Sequence, residues 1–415
     1  MAEEKREPSL ENFNAGRSWL VFIAIFLAGI ALSWTQVKVQ PILTILMSAL
    51  NLSAQASGWV MSLFNVLGII LAFPAVGIAR KFGARRTGIA ALLFAIIGSI
   101  IGFFSTGATV LMISRVIEGF GIGLITVIAP SMISAWFPAS KRSAPLGIWS
   151  AWMAVAIACA FTLTGNILGP EANWKNMYIL GFVLQAIGLI MFLLFAKYPP
   201  ADRNFADIED SSENMFSIFK NPSSWWITIV FFGLGVACMA FSSWISSYWG
   251  ATMGWDTYFS NKIIGLMYVG EIITCALGGV ILTKIVDLKK RKIFAIVCSA
   301  IYMVCFVALY ICTGTPVILT WCVLFVIFEG IFTASMWGFV TLVPTDPSLA
   351  APTISMATIG MNFGMMLGTP VAGAILDATA MTGWTYLAVL VGVCMALSTL
   401  GFIMVKIHNP GEPAV

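Results

Sequence analysis

Charge is scarce in this chain. Only 10% of its 415 residues are Asp, Glu, Lys or Arg, whereas 60% are hydrophobic, and the mean hydropathy is +0.95. No soluble domain hides that much apolar surface, so an aqueous globular fold is excluded and most of the chain is built for lipid. Histidine is scarcer still. The only one, His408, lies in the C-terminal tail, which argues against a His-based metal centre or acid–base enzyme. The eight cysteines are scattered through apolar segments with no C-x-x-C pair; Cys298, Cys305 and Cys312 recur every seven residues and read as a packing stripe, not a metal site. No Ser/His/Asp set, metal motif or phosphate-binding loop is visible, so neither an enzyme nor a cofactor is expected. The polar start, "MAEEKREPSLENFNAGR", is followed by no small-residue cleavage site and reads as a retained cytoplasmic tail (1–18).

What the chain does contain is a series of apolar runs. Crossing ~30 Å of hydrocarbon takes about 20 residues of helix, and twelve such runs can be read. They are Trp19–Gln40, Ser57–Ala79, Gly88–Ser105, Ala108–Ile133, Ala144–Leu168 and Asn176–Ala196, then Ser224–Gly250, Lys262–Ile285, Ile293–Cys312, Pro316–Leu342, Ala351–Leu376 and Trp384–Lys406. The expected architecture is an all-α membrane protein with twelve transmembrane helices. Two six-helix bundles, 19–196 and 224–406, flank a polar linker at 197–223, and a short tail follows at 407–415. Eighteen of the 22 Lys and Arg fall in "RKFGARR" (80–86), "SKR" (140–142), the linker, "KKRK" (289–292) and the tails and helix ends on the same side. The positive-inside rule then puts both termini in the cytoplasm, in a cell (inner or plasma) membrane.

The halves echo each other. "VIEGFGIG" (116–123) parallels "IFEGIFTA" (327–334), matching Glu118–Gly119 with Glu329–Gly330, and "TGNILG" (164–169) parallels "AGAILD" (372–377). Parallel repeats with a site between them are a secondary-transporter layout.

From Trp19 to Lys406 the chain resembles the major facilitator superfamily. "GIARKFGARR" (77–86) is similar to the family's signature loop between the second and third helices. It is one residue short, and Arg80 stands where the family usually has an aspartate. The resemblance implies a gating role for Gly77, Arg80, Gly83, Arg85 and Arg86. "RVIEGFGIG" (115–123) is similar to the family's fourth-helix pattern, which is tied to proton coupling. "WFPASKRSAPLG" (136–147) resembles the fifth-helix entry of organic-anion branches such as the oxalate/formate and monocarboxylate-type carriers.

A charge at mid-bilayer costs at least ~2.5–3.5 kcal/mol on insertion scales, and four ionisable residues lie near span centres: Arg115, Glu118, Glu271 and Glu329. Three acids against one base leave at least one glutamate without a full-strength partner. A buried carboxyl that loads and unloads a proton is what coupling requires, so Glu118 or Glu329 is the expected carrier, with Glu271 third. Arg115 is the expected anchor for a substrate carboxylate. Lys38 is either a second anion contact or a lysine snorkelling to the outer interface. Trp34, Trp152, Trp337 and Asn362 are candidates for the pocket wall, packing being the alternative for the tryptophans. Gly360, Gly364 and Gly368 form a smooth stripe suited to close helix approach.

The expected function is a proton-coupled carrier, symport favoured, for a small organic ion such as a carboxylate, working as a monomer by alternating access. The expected partners are a small-molecule substrate, protons and the lipid bilayer, with no nucleic acid. The alternative is a carrier or exporter of an organic cation, zwitterion or drug-like compound, bound through acids and aromatics.

Overall fold

The computed structural model describes residues 13–72, 74–138, 141–199, 215–344 and 349–408. Most of the N-terminal tail, the middle of the linker and the end of the C-terminal tail therefore lie outside the described residues. Those described form helices and turns with no strand. Among the described residues, twelve helices are long and apolar enough to cross a membrane: α1 Ala15–Leu50, α2 Ala54–Leu71, α3 Ala84–Phe103, α4 Ala108–Trp136, α5 Ala144–Thr162, α6 Lys175–Phe195, α7 Pro222–Met253, α8 Thr257–Lys284, α9 Leu288–Ile311, α10 Thr315–Val340, α11 Pro352–Ala378 and α12 Trp384–Met404.

Local chemistry sets the ends. The side chains of Asn14, Ser53, Asn221, Asp256 and Asp287 each accept a backbone N–H at the start of a helix. Gly254, at φ 65°, closes α7 in the left-handed region. Capping by Asp256 starts α8 at Thr257, five residues before the apolar run that suggested it. The first span also departs from expectation, running to Leu50. Its regular helix stops at Val37, a 3-10 turn follows at Gln40–Ile42, and helix resumes at Leu43. Pro41 lacks an N–H and cannot continue the ladder, so carbonyls near residue 37 are freed.

The chain reverses at every loop, so the described termini share one end of the bundle, here the near end. The glycines of the repeated Glu–Gly pairs play matching parts. A Cβ on Gly119 would strike the Phe64 carbonyl of α2, and one on Gly330 would strike the Thr274–Cys275 backbone of α8. α4 packs on α2 as α10 packs on α8.

The halves meet at the far end. One apolar core joins Val39, Ile42 and Phe161 to Ala240, Ile264 and Leu376, while a second core, around Ile25, Leu92 and Ile128, belongs to the first half alone. Polar contacts between described residues of the two halves gather in the same region. Gln40 donates to Ser242 Oγ at 2.8 Å, Asn261 to the Pro41 carbonyl at 2.8 Å, and Asp377 accepts from Ala54 and Gln55.

Candidate functional site

Arg115, Glu118 and Lys38 form one cluster, each with its side chain fully buried. Arg115 and Glu118 share a face of α4, and Nη1 of the arginine meets Oε2 of the glutamate at 2.5 Å. Lys38, from the break in α1, puts its Nζ 2.5 Å from Oε1 of the same carboxylate. The reading of Lys38 as a snorkelling residue does not hold. Its ammonium points inward and lies 3.7 Å from the centroid of the Tyr178 ring on α6.

The break in α1 explains the position of the arginine. With the ladder interrupted, the carbonyls of Thr35 and Gln36 lack helical donors. Arg115 Nη1 donates to the first and Nη2 to the second at 3.0 Å, while Nε reaches the Val60 carbonyl of α2 at 3.1 Å. A guanidinium at a helix C-terminus is also favoured by the partial negative charge there. Ser99 on α3 donates to Glu118 Oε1 at 2.9 Å and accepts from Lys38 and from Gln185 of α6. Five helices of the first half thus converge on one carboxylate.

The second half repeats the frame without the cations. Glu329 on α10 occupies the position of Glu118, and Tyr302 on α9 takes the place of Ser99, its hydroxyl 3.1 Å from Oε1. Glu329 is 6% exposed and lines a narrow crevice with Phe241, Ile264, Met267, Tyr268 and Phe325. Glu271, on the neighbouring α8, is half-buried and interacts electrostatically with Glu329. α7, α10 and α12 contain no Lys or Arg, and in α8 these occur only near the ends. The basic residues of α9 cluster at its start, and among the described residues neither carboxyl forms an ion pair.

Among the described residues, none of the remaining candidates hydrogen-bonds to a carboxylate of either group. Trp34 is buried and donates from Nε1 to the Met177 carbonyl at 3.0 Å. Trp152 stacks on Trp149 at 4.9 Å, the pair lying against Gly29 of α1. Trp337 is 44% exposed and meets Phe231 edge-on. Asn362 lies against Gly68 of α2, at the contact between halves, and donates to the Thr358 carbonyl. The loop residues belong to the near end. There Gly83 turns with φ 82°, Arg85 donates to the Leu193 carbonyl, and Gly77 has open space beside it. Arg80 lies in the last turn of the helix Pro74–Phe82, and Arg86 follows in the first turn of α3.

Sequence reasoning overlooked Ser99, Gln185, Tyr178 and Tyr302. Gln185 carried a usable signal, being the one amide in the interior of α6, where Asn176 stands at the very start. Tyr302 did not, since a tyrosine in a span is ordinarily read as packing.

The family model for the major facilitator superfamily matches residues 21–352. The chain belongs to that family. A hexuronate transporter of Bacillus subtilis (strain 168) is 22% identical over 407 residues, covering 94% of this chain and 96% of the relative. The probable multidrug resistance protein EmrY of Escherichia coli (strain K12) is 26% identical, but over 48% of this chain and 38% of its own length. Among solved structures, a bacterial homologue of the human lysosomal transporter Spinster, in an inward-facing and unoccupied conformation, superposes with a TM-score of 0.77 at 14% identity. That match covers 94% of this chain and 98% of the other. The nucleoside transporter NupG gives 0.73 at 15%, covering 93% and 98%. At these identities the structural likeness carries the fold alone. This superfamily member is a multi-pass membrane transporter of small molecules and not an enzyme.

Proposed function

We propose that this transporter moves a small organic anion, a carboxylate, by symport with protons and alternating access between its two halves. The observation that carries the reading is the charge asymmetry across the bundle. The first half encloses two cations and one carboxylate, whereas among the described residues of the second half Glu271 and Glu329 form no ion pair. A surplus buried positive charge in lipid is costly unless compensated, and an entering carboxylate supplies the compensation. Arg115 spends its donors on Glu118 and three carbonyls, so Lys38 is the cation freer to turn toward a solute. The end-to-end relative named as a hexuronate transporter favours the same solute class, since a hexuronate is a sugar carboxylate.

Proton loading is assigned to Glu329, with Glu271 beside it. Glu118 is shared by two cations, and protonating it would break both pairs, a penalty of several kcal/mol in a buried site. Glu329 has one neutral partner, Tyr302, whose hydroxyl can bond to either protonation state. We take the membrane to be the cell membrane and, by the positive-inside rule, assign the near end and both termini to the cytoplasm; the far end, sealed in this structure, then faces outward. The loop from Gly77 to Arg86 remains the proposed gating element of the near end, and the protein is proposed to work as a monomer.

The test is uptake of glucuronate by proteoliposomes under an imposed pH gradient. The reading expects gradient-driven accumulation, loss of the gradient dependence in Glu329→Gln with exchange retained, and loss of binding in Lys38→Met. Accumulation that ignores the gradient in the unaltered protein refutes the coupling. A second reading, an organic cation bound at Glu271 and Glu329, is favoured by the aromatic walls of that crevice. Thermal stabilisation by amines and not by carboxylates would select it.

A further inference from the structure

Asp377 stands in the last turn of α11, where its own helix's C-terminus repels a carboxylate. The transport reading above makes no use of it, and the matching position in the first half's repeat is Gly169. The carboxylate is spent on the other half of the molecule. Oδ1 accepts the Ala54 N–H and Oδ2 the Gln55 N–H, both at 2.8 Å. These are two of the backbone donors that α2 leaves without a helical partner at its start; Ser53 Oγ takes a third, from Ala56, before the first intrahelical bond from Ser57 to the Ser53 carbonyl. One half caps its own helix only in part, and the other completes it.

The related contact between α5 and α8 is built differently. There the start of α8 is capped from within by Asp256, which accepts from Tyr258 and Phe259. A bond across the halves thus closes one side of the far end, whereas on the other side the side-chain cap of α8 comes from its own half. The backbones beneath Asp377 are as close as they can be. A Cβ on Gly58 of α2 would overlap Pro370 of α11, and one on Gly373 of α11 would overlap Ala54. Asp377 is itself exposed, but separating the halves here breaks both of its bonds, so they exist only when this end is shut.

We propose that Asp377 is a gating residue: its bond to the start of α2 sets how long the far end stays closed during transport. The proposal rests on the reading that a solute crosses between the halves, but its test needs no solute, so the two can fail separately. Hydrogen–deuterium exchange of the full-length protein in lipid nanodiscs reads both ends at once. In Asp377→Ala, exchange across 52–58 and 370–376 should rise about tenfold, the worth of a carboxylate bonded at a helix start. Exchange at the near-end segments 80–86 and 284–291 should fall, because opening one end closes the other. Asp377→Glu, which keeps the charge, should return both ends toward the original pattern. Gly58→Ala, which wedges the same contact without touching a charge, should shift the ends in the same sense as Asp377→Ala. A rise at both ends would reduce Asp377 to a stability contact, and a gain confined to Ala54 and Gln55 would reduce it to a local cap; either overturns the proposal. Should Asp377→Ala not fold, Asp377→Asn, with one weaker acceptor left, is read by the same criteria.

Discussion

Replacing Glu118 by Gln separates the charge account of the buried cluster from a simple count of contacts. The cluster holds two cations and one anion with no exposed side-chain surface. Without the carboxylate, two buried like charges lie side by side, and the amide offers its oxygen to only one of them. Breaking one buried pair typically costs about 3–5 kcal/mol, and this change breaks two, so at least that loss is expected. Lys38→Met touches the same carboxylate but leaves a balanced Arg115–Glu118 pair with its carbonyl partners. Its cost should be about 0–2 kcal/mol, because the desolvation of an ammonium is relieved as its pair is lost. The double variant should be more stable than Glu118→Gln alone, a coupling of opposite sign to additivity. Thermal unfolding of purified protein, followed by a fluorophore reacting with the eight cysteines as the core opens, gives the order. Glu118→Gln as stable as Lys38→Met would refute the reasoning, since the carboxylate would then not be holding two uncompensated charges.

Further outcomes follow from packing and bonding. Gly98→Ala places a methyl against Cγ of Glu118 and the α4 backbone, so a loss of about 1–3 kcal/mol is expected from overpacking, measured by the same unfolding assay. Gly330→Ala should cost a similar amount by prising α10 from α8; an unchanged midpoint would show that the helices separate freely. Trp34→Phe removes the donor to the buried Met177 carbonyl and should cost about 1 kcal/mol without altering solute selectivity, which uptake competition can check. Tyr302→Phe leaves Glu329 without its hydrogen-bond partner and should change the pH dependence of uptake more than its maximal rate; the reverse pattern would count against Glu329 as the proton carrier.

The sequence alone determined the class, the number of spans and the division into two halves, because length and apolarity are local properties that lipid reads one segment at a time. It also revealed the repeat, since Glu118–Gly119 and Glu329–Gly330 carry the same task of bringing α4 onto α2 and α10 onto α8. Pairing was beyond it. Lys38 and Glu118 are eighty residues apart, and only the break at Pro41 together with the packing of α1 on α4 sets the ammonium against the carboxylate. The expected balance of one base to three acids became two cations on one carboxylate in the first half and two carboxyls without a cation in the second. Asp377 was visible only as the last letter of a repeat, because a hydrogen bond to a helix start in the opposite half depends on how the halves meet. Composition fixes what a helix dissolves in, whereas long-range contact fixes which charges neutralise each other, and that second property exists only in the folded bundle.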